Sequence, residues 1–152
     1  MKTVFLDYKT VDPGDLDLSP LRKNALNLVL YDKTAAADIN KRIQDAEIII
    51  INKIKLDAAA LIQAKKVKLI CLVATGTDNV DLVTASQQGI TVCNIKNYCT
   101  DSVAQHVVLS ILALSHHFDE YQLSLKQGLW QKSEQFCLLE YPITELRSKP
   151  WV

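Results

Sequence analysis

The segment Glu47-Ile48-Ile49-Ile50-Ile51-Asn52 has no polar face. Successive side chains of a strand point to opposite sides, so four consecutive isoleucines demand cover above and below. That is the pattern of a strand inside a parallel sheet. Four other segments rich in β-formers accompany it: Val4-Phe5-Leu6-Asp7, Leu28-Val29-Leu30-Tyr31, Lys68 to Ala74, and Ile90-Thr91-Val92-Cys93-Asn94. Helix-like stretches at 35–45, 56–65 and 79–88 lie between them. Thr34 is placed to cap the first and Asp57 falls in the opening turn of the second. Asp78 or Asn79 is placed to begin the third, and Gly89 to end it. A βαβαβ order implies a parallel sheet with right-handed crossovers. The expected architecture is an α/β, flavodoxin-like open parallel sheet of five strands with helices on both faces.

Thr100 opens a different region. Ser102-Val103-Ala104-Gln105 matches a capping box, and the helix it predicts runs toward Leu123. Between Val103 and Leu114 apolar residues occupy nearly every face, so the helix needs cover all round. A five-stranded layer covers one side only, and a second subunit or a further domain must cover the rest. Beyond a turn at Gly128, Trp130, Phe136, Leu138, Leu139, Tyr141 and Ile143 predict an ordered arm. The organisation expected is therefore a domain over 1–98, followed over 99–152 by a long helix and arm.

Seventeen basic residues balance seventeen acidic ones. No net field and no Lys/Arg run favours nucleic acid or an anionic membrane. The first residues carry charge at once and do not read as a signal peptide, and the run from Val103 to Leu114 is too short to span a bilayer. A cytoplasmic protein is expected. Cys71, Cys93, Cys99 and Cys137 form no CxxC pair and no zinc spacing, so no metal is expected. Cys71 and Cys93 read as small buried hydrophobes within strands. Cys99 precedes a helix start, which can lower a thiol pKa, although a structural thiol is the simpler reading. His106, His116 and His117 have no carboxylate placed to orient them, and read as packed or surface histidines. No catalytic residue is assigned.

Ligands of an open parallel sheet sit outside the carboxyl ends of its strands. Those ends are Asp7-Tyr8, Asp32-Lys33, Asn52-Lys53, Ala74 to Asp78, and Asn94 to Tyr98. The fourth group places Gly76 between a buried strand and a helix start, where free N–H groups can hold an anion. Lys53, at the end of the neighbouring strand, could add a positive charge. The same residues also fit a plain turn and a solvated lysine.

Several words of the sequence bear on this choice. Ala74-Thr75-Gly76-Thr77-Asp78-Asn79-Val80-Asp81 resembles the substrate loop of D-isomer-specific 2-hydroxyacid dehydrogenases of the glycerate dehydrogenase and hydroxypyruvate reductase type. Gly89 to Asn94, then Tyr98-Cys99-Thr100-Asp101-Ser102-Val103-Ala104-Gln105-His106, resembles the start of that family's long interdomain helix. Gly128-Leu129-Trp130 and Tyr141-Pro142-Ile143 are similar to the stretch leading to its nucleotide domain. The resemblance implies an oxidoreductase using NAD on the CH–OH group of a 2-hydroxy acid, with hydroxypyruvate or glyoxylate as the oxo form. It implies that Lys53, Ala74, Thr75, Gly76 and Thr77 bind the substrate carboxylate, that Thr75, Thr100 and Val103 reach the cofactor, and that the 100–123 helix builds a homodimer.

The family continues into a G-x-G-x-x-G turn and then an Arg, an acid and a His. Here the sequence runs Glu145-Leu146-Arg147-Ser148-Lys149-Pro150-Trp151-Val152. A one-nucleotide deletion in codons for a family-like Lys-Thr-Leu-Gly-Ile-Val reproduces Lys149-Pro150-Trp151-Val152 and a stop. The expectation is a truncated relative without turnover of its own. The alternatives are an interaction module that pairs with a full-length homologue, and a small-molecule protein that binds 2-oxo or 2-hydroxy acids.

Overall fold

The computed structural model describes residues 1–149. The reading of Pro150, Trp151 and Val152 as a frame-shifted ending lies outside the described residues. The chain divides into two compact units, Met1–Tyr98 and a second that begins at Cys99.

In the first unit five strands form one sheet: β1 (Thr3–Phe5), β2 (Leu28–Leu30), β3 (Ile48–Ile51), β4 (Leu69–Leu72) and β5 (Thr91–Cys93). Their spatial order is β2-β1-β3-β4-β5 and every neighbouring pair is parallel. The four isoleucines divide as the two-sided pattern requires. Ile49 and Ile51 join Val4, Leu6, Ile70 and Leu72 in the main core, with Ile43, Leu61 and Ala85 from the covering helices. Ile50 faces the other way, against Phe5 and Tyr8, and Leu18 and Leu21 pack over that smaller cluster.

The connecting helices are α1 (Ser19–Asn24), α2 (Ile39–Ile43), α3 (Ala58–Gln63) and α4 (Leu82–Gln87). The sequence reading contains no counterpart of α1. Its signals are Pro20 in the first turn and the Asp17 carboxylate accepting the Ser19 amide at 2.8 Å. Asp57 does cap α3, accepting the Ala60 amide at 2.9 Å. Two expected caps are corrected. Thr34 caps nothing: it is buried, its hydroxyl donates to the Leu6 carbonyl, and it accepts from Arg42 Nη1 at 2.7 Å. Helix α4 begins at neither Asp78 nor Asn79, because Asp81 accepts the Thr84 amide at 2.8 Å and takes the N-cap. Gly89 ends α4 with φ of +69°. Its amide donates to Ser86 O at 3.1 Å and that of Ile90 to Ala85 O at 2.8 Å, the paired bonds of a Schellman motif.

The second unit holds α5 (Thr100–Ser115), α6 (Phe118–Lys126) and α7 (Leu129–Lys132). The single helix expected to run on to Leu123 is therefore two. His117 adopts a left-handed φ of 48°. The Ser115 carbonyl, which a continuous helix would offer to residue 119, accepts instead from the Thr144 amide of the arm at 2.8 Å. Tyr141 stacks on His117 with centroids 5.8 Å apart, and Tyr121 donates to the Tyr141 carbonyl at 2.8 Å. The capping box is also absent. Helix α5 starts before Ser102, whose hydroxyl donates to Cys99 O at 3.0 Å within the first turn. No residue of α5 is buried, and Leu109 and Leu114 are 61% and 79% exposed.

Candidate functional site

The strand order reverses direction between β1 and β3, and the carboxyl ends of these two strands flank that switch point. Asp7 follows β1 there and is only 2% exposed. A buried carboxylate needs compensating donors, and three backbone amides supply them. Asn52 N donates to Oδ1 at 2.9 Å, while Lys53 N and Ile54 N donate to Oδ2 at 2.5 and 3.1 Å. The turn after β3 is held from its other side by Asn79. Its Nδ2 donates to the carbonyls of Asn52 at 3.2 Å and Ile54 at 2.9 Å. The Asn52 side chain in turn donates to Thr10 Oγ1 at 3.0 Å. Lys53 thus has a fixed backbone and an exposed side chain. It lines a groove of about 480 Å³ with Thr34, Asn40, Lys55 and Asp57.

The loop after β4 carries the other candidates. Ala74 and Thr77 are half-buried and Thr75 and Gly76 exposed. Asn94, just past β5, donates through Nδ2 to the Thr75 carbonyl at 2.7 Å, and the Ile95 amide donates to Ala74 O at 3.1 Å. Val80 N closes the turn onto Thr77 O at 3.0 Å. The amides of Thr75, Gly76 and Thr77 have no acceptor among the described residues. The loop therefore presents free donors on a backbone fixed by its carbonyls, an arrangement suited to an anion. A Cβ on Gly76 would stand 2.9 Å from Asp78 Oδ1, so a side chain there would displace that carboxylate.

Asn79 thus ties the backbone turn that bears Lys53 to the segment following the Ala74–Thr77 loop, while the groove that Lys53 lines contains no residue of that loop. Thr100 and Val103 stand exposed in the opening turn of α5, in the second unit. The sequence reading places Asp7, Asn52 and Asn94 at strand ends and Asn79 at a helix start, but does not foresee the positioning role of the four. For Asp7 a signal existed, an acid directly after a wholly apolar run. For Asn79 it was hidden by a second meaning, since an asparagine before a helix reads as a cap.

His106 and His116 are exposed. His117 departs from the expectation that no carboxylate attends it: Nδ1 lies 3.6 Å from Glu120 Oε1, with the ring stacked on Tyr141. Cys71 is half-buried, and burial raises its thiol pKa. Cys93 is exposed, which corrects its reading as a buried hydrophobe: it stands on edge strand β5, outside the Phe5–Tyr8–Ile50 cluster that Leu18 and Leu21 cover. Among the described residues no cluster of three or more His, Cys, Asp or Glu is arranged for a metal, and no helix is long and apolar enough to cross a membrane.

Residues 6–138 match the model of the D-isomer specific 2-hydroxyacid dehydrogenase catalytic domain. The chain belongs to this family. It is 46% identical over 146 residues to glycerate dehydrogenase of Methylorubrum extorquens, covering 95% of this chain and 45% of that protein. It is 33% identical over 152 residues to hydroxypyruvate reductase of Blautia hydrogenotrophica, covering 98% of this chain and 47% of the relative. The chain thus spans about half the length of the curated relatives it matches. D-lactate dehydrogenase from Aquifex aeolicus, solved with NAD and lactic acid, superposes with a TM-score of 0.71 at 24% identity, over 91% of this chain and 41% of that one. At that identity the likeness concerns the fold, and it is the five-stranded parallel α/β fold described above.

Proposed function

We propose that the first unit, 1–98, is the substrate-binding part of an NAD-linked oxidoreductase that interconverts a short D-2-hydroxy acid and its 2-oxo acid, of the hydroxypyruvate or glyoxylate class. The observation that carries this reading is the loop after β4. Its three unengaged amides sit on a backbone tethered by Asn94, and Asn79, just after the loop, ties the turn that bears Lys53. The Ala74–Thr77 backbone would take the substrate carboxylate and Lys53 would add charge. Membership of the family, and relatives named for glycerate and hydroxypyruvate, support the substrate class.

Bound NAD supplies the hydride acceptor in such a reaction. Thr75 in the first unit and Thr100 and Val103 in the second are exposed, and each unit by itself would offer the cofactor a contact: one hydroxyl from the first, one hydroxyl and one aliphatic surface from the second. These contacts fit the margin of a dinucleotide, whereas the 152 residues contain no G-x-G-x-x-G turn for its pyrophosphate. We assign binding of the acid to the residues of the first unit. The exposed apolar surface of α5 supports a homodimer built through the 100–123 region. The balanced charge offers no field to attract nucleic acid or an anionic membrane as partner.

The test is a titration of the chain with glyoxylate and hydroxypyruvate, followed by amide NMR. Saturable shifts centred on Thr75, Gly76 and Thr77, abolished by Lys53→Ala, are expected. Shifts elsewhere would remove the assigned carboxylate site.

A further inference from the structure

Cys71 and Cys93 are register partners on adjacent parallel strands, β4 and β5. Partners in register share a sheet face, and this is the thinner one, where Cys71 packs at the margin of the Phe5–Tyr8–Ile50 cluster. Neighbouring strands lie about 4.8 Å apart, within the roughly 4.4–6.8 Å between Cα atoms that a disulfide spans. Both thiols are free. They differ in surroundings: Cys93 is exposed on an edge strand, whereas Cys71 is half-buried on the strand inside it.

We propose that Cys71 and Cys93 are a dithiol modification site, which a hydroperoxide converts into a reversible cross-strand disulfide. The exposed thiol reacts first. The Cys93 thiolate attacks one peroxide oxygen; the S–O bond forms as the O–O bond breaks, giving a sulfenic acid, and the other oxygen leaves as hydroxide or alkoxide that takes up the proton Cys93 had released. The Cys71 sulfur then attacks the Cys93 sulfur. The S–S bond forms, the S–O bond breaks, and hydroxide leaves with the Cys71 proton as water. Two thiols lose two electrons and the peroxide gains them. Burial raises the Cys71 pKa and the charge of a Cys93 thiolate raises it further, which keeps Cys71 protonated until its partner is oxidised.

Exposure at Cys93 leaves the bond open to an attacking thiol, and exposed disulfides are the readily reduced ones. Bond formation brings the two Cβ atoms to roughly 3.5–4.5 Å, drawing β5 toward β4. The position gives the bond a consequence as well. Asn94, next to Cys93, holds the Thr75 carbonyl, and the Ile95 amide holds that of Ala74. Drawing β5 toward β4 therefore moves the anchor of the candidate carboxylate loop.

The experiment treats the reduced full chain with hydrogen peroxide, then measures free thiols, intact mass and a non-reducing peptide map. Expected is the loss of two of the four free thiols, a mass lower by two hydrogens, and a peptide joining the β4 and β5 segments that dithiothreitol releases. Cys93→Ser should abolish the linked peptide and leave Cys71 reduced. Amide shifts on oxidation should extend to Thr75 and Gly76. Oxygen addition at Cys93 while Cys71 stays free, or bonds only between chains, would overturn the proposal. Because thiol chemistry is read directly, this result is independent of whether the chain binds a 2-oxo acid.

Discussion

Replacing Asp7 by alanine removes the acceptor for three amides at once. Hydrogen bonds to a charged group contribute about 1.5–3 kcal/mol each, and a buried donor left unpaired costs about 1–3 kcal/mol. The three amides are not equivalent. Asn52 is 9% exposed, so its N–H would lose its partner without gaining water, whereas Lys53 is exposed and Ile54 half-buried, and water can reach their amides. The expected loss for Asp7→Ala is therefore about 3–5 kcal/mol, below three full charged bonds and similar to breaking a buried ion pair. Asp7→Asn keeps one acceptor oxygen but turns an NH2 group toward an amide, and should fall between the two. Because the chain has two units, the measurement should be specific to the first. Native-state hydrogen exchange at the Ile49 and Ile51 amides, with urea titration, reports on the strand that the clamp terminates. Protection of these amides within about 1 kcal/mol of wild type in Asp7→Ala would show that the carboxylate does not hold the turn. Loss of protection confined to α5 or α6 would refute the reasoning equally.

Three further outcomes are expected. Asp81→Ala should destabilise the first unit by about 1 kcal/mol through loss of the α4 cap, while Asp78→Ala should be near neutral, since only Asp81 accepts the Thr84 amide; urea melts of both would decide. Gly89→Ala should cost about 1 kcal/mol, because alanine at φ of +69° is strained where glycine is not; an unchanged midpoint would argue against the Schellman geometry. The Glu47 carboxyl is lowered from its ordinary 4.5, chiefly by its hydrogen bond to Lys68 Nζ at 3.0 Å. A lowered carboxylate pKa contributes stability that is complete above 4.5 and fades as pH falls through the depressed value. Thermal melts from pH 6 to 2 should show a small acid-side loss that Glu47→Gln and high salt both reduce, since Glu47 is only half-buried and its partner Lys68 is exposed, so that salt screens the pair.

The sheet was legible because its signal is redundant. Ile48 to Ile51 can be satisfied in few ways, and the turn residues around them agree. Helix α1 was not legible because six residues give too little periodicity, and its start is marked by Pro20 and an aspartate turn rather than by an apolar stripe. The break at His117 comes from a contact made far along the chain, the Thr144 amide on the Ser115 carbonyl, which no local window contains. The site divides along the same line. The Thr75–Asp78 loop is continuous in sequence and could be read from it. The clamp of Asp7, Asn52 and Asn79 is assembled from three separate strand ends, and each member has a more ordinary local meaning. Thr34 shows the converse error, a good local cap drawn away by Leu6 and Arg42.

The Asp7 clamp also bears on how the first unit folds. Strand β1 lies near the centre of the sheet, yet it comes first in the chain, and its partner β3 follows only after β2 and α2 in sequence. Every other pairing joins strands adjacent in the sequence. The β1–β3 pairing is thus the step with the longest loop to close, and topology of this kind sets the rate of folding. Asp7 rewards that step as soon as it is taken, since its carboxylate meets the Asn52–Ile54 amides only when β3 has docked. Strands β4 and β5 can then add outward in the order of synthesis, and the loop that bears Thr75 is the last to be locked in place.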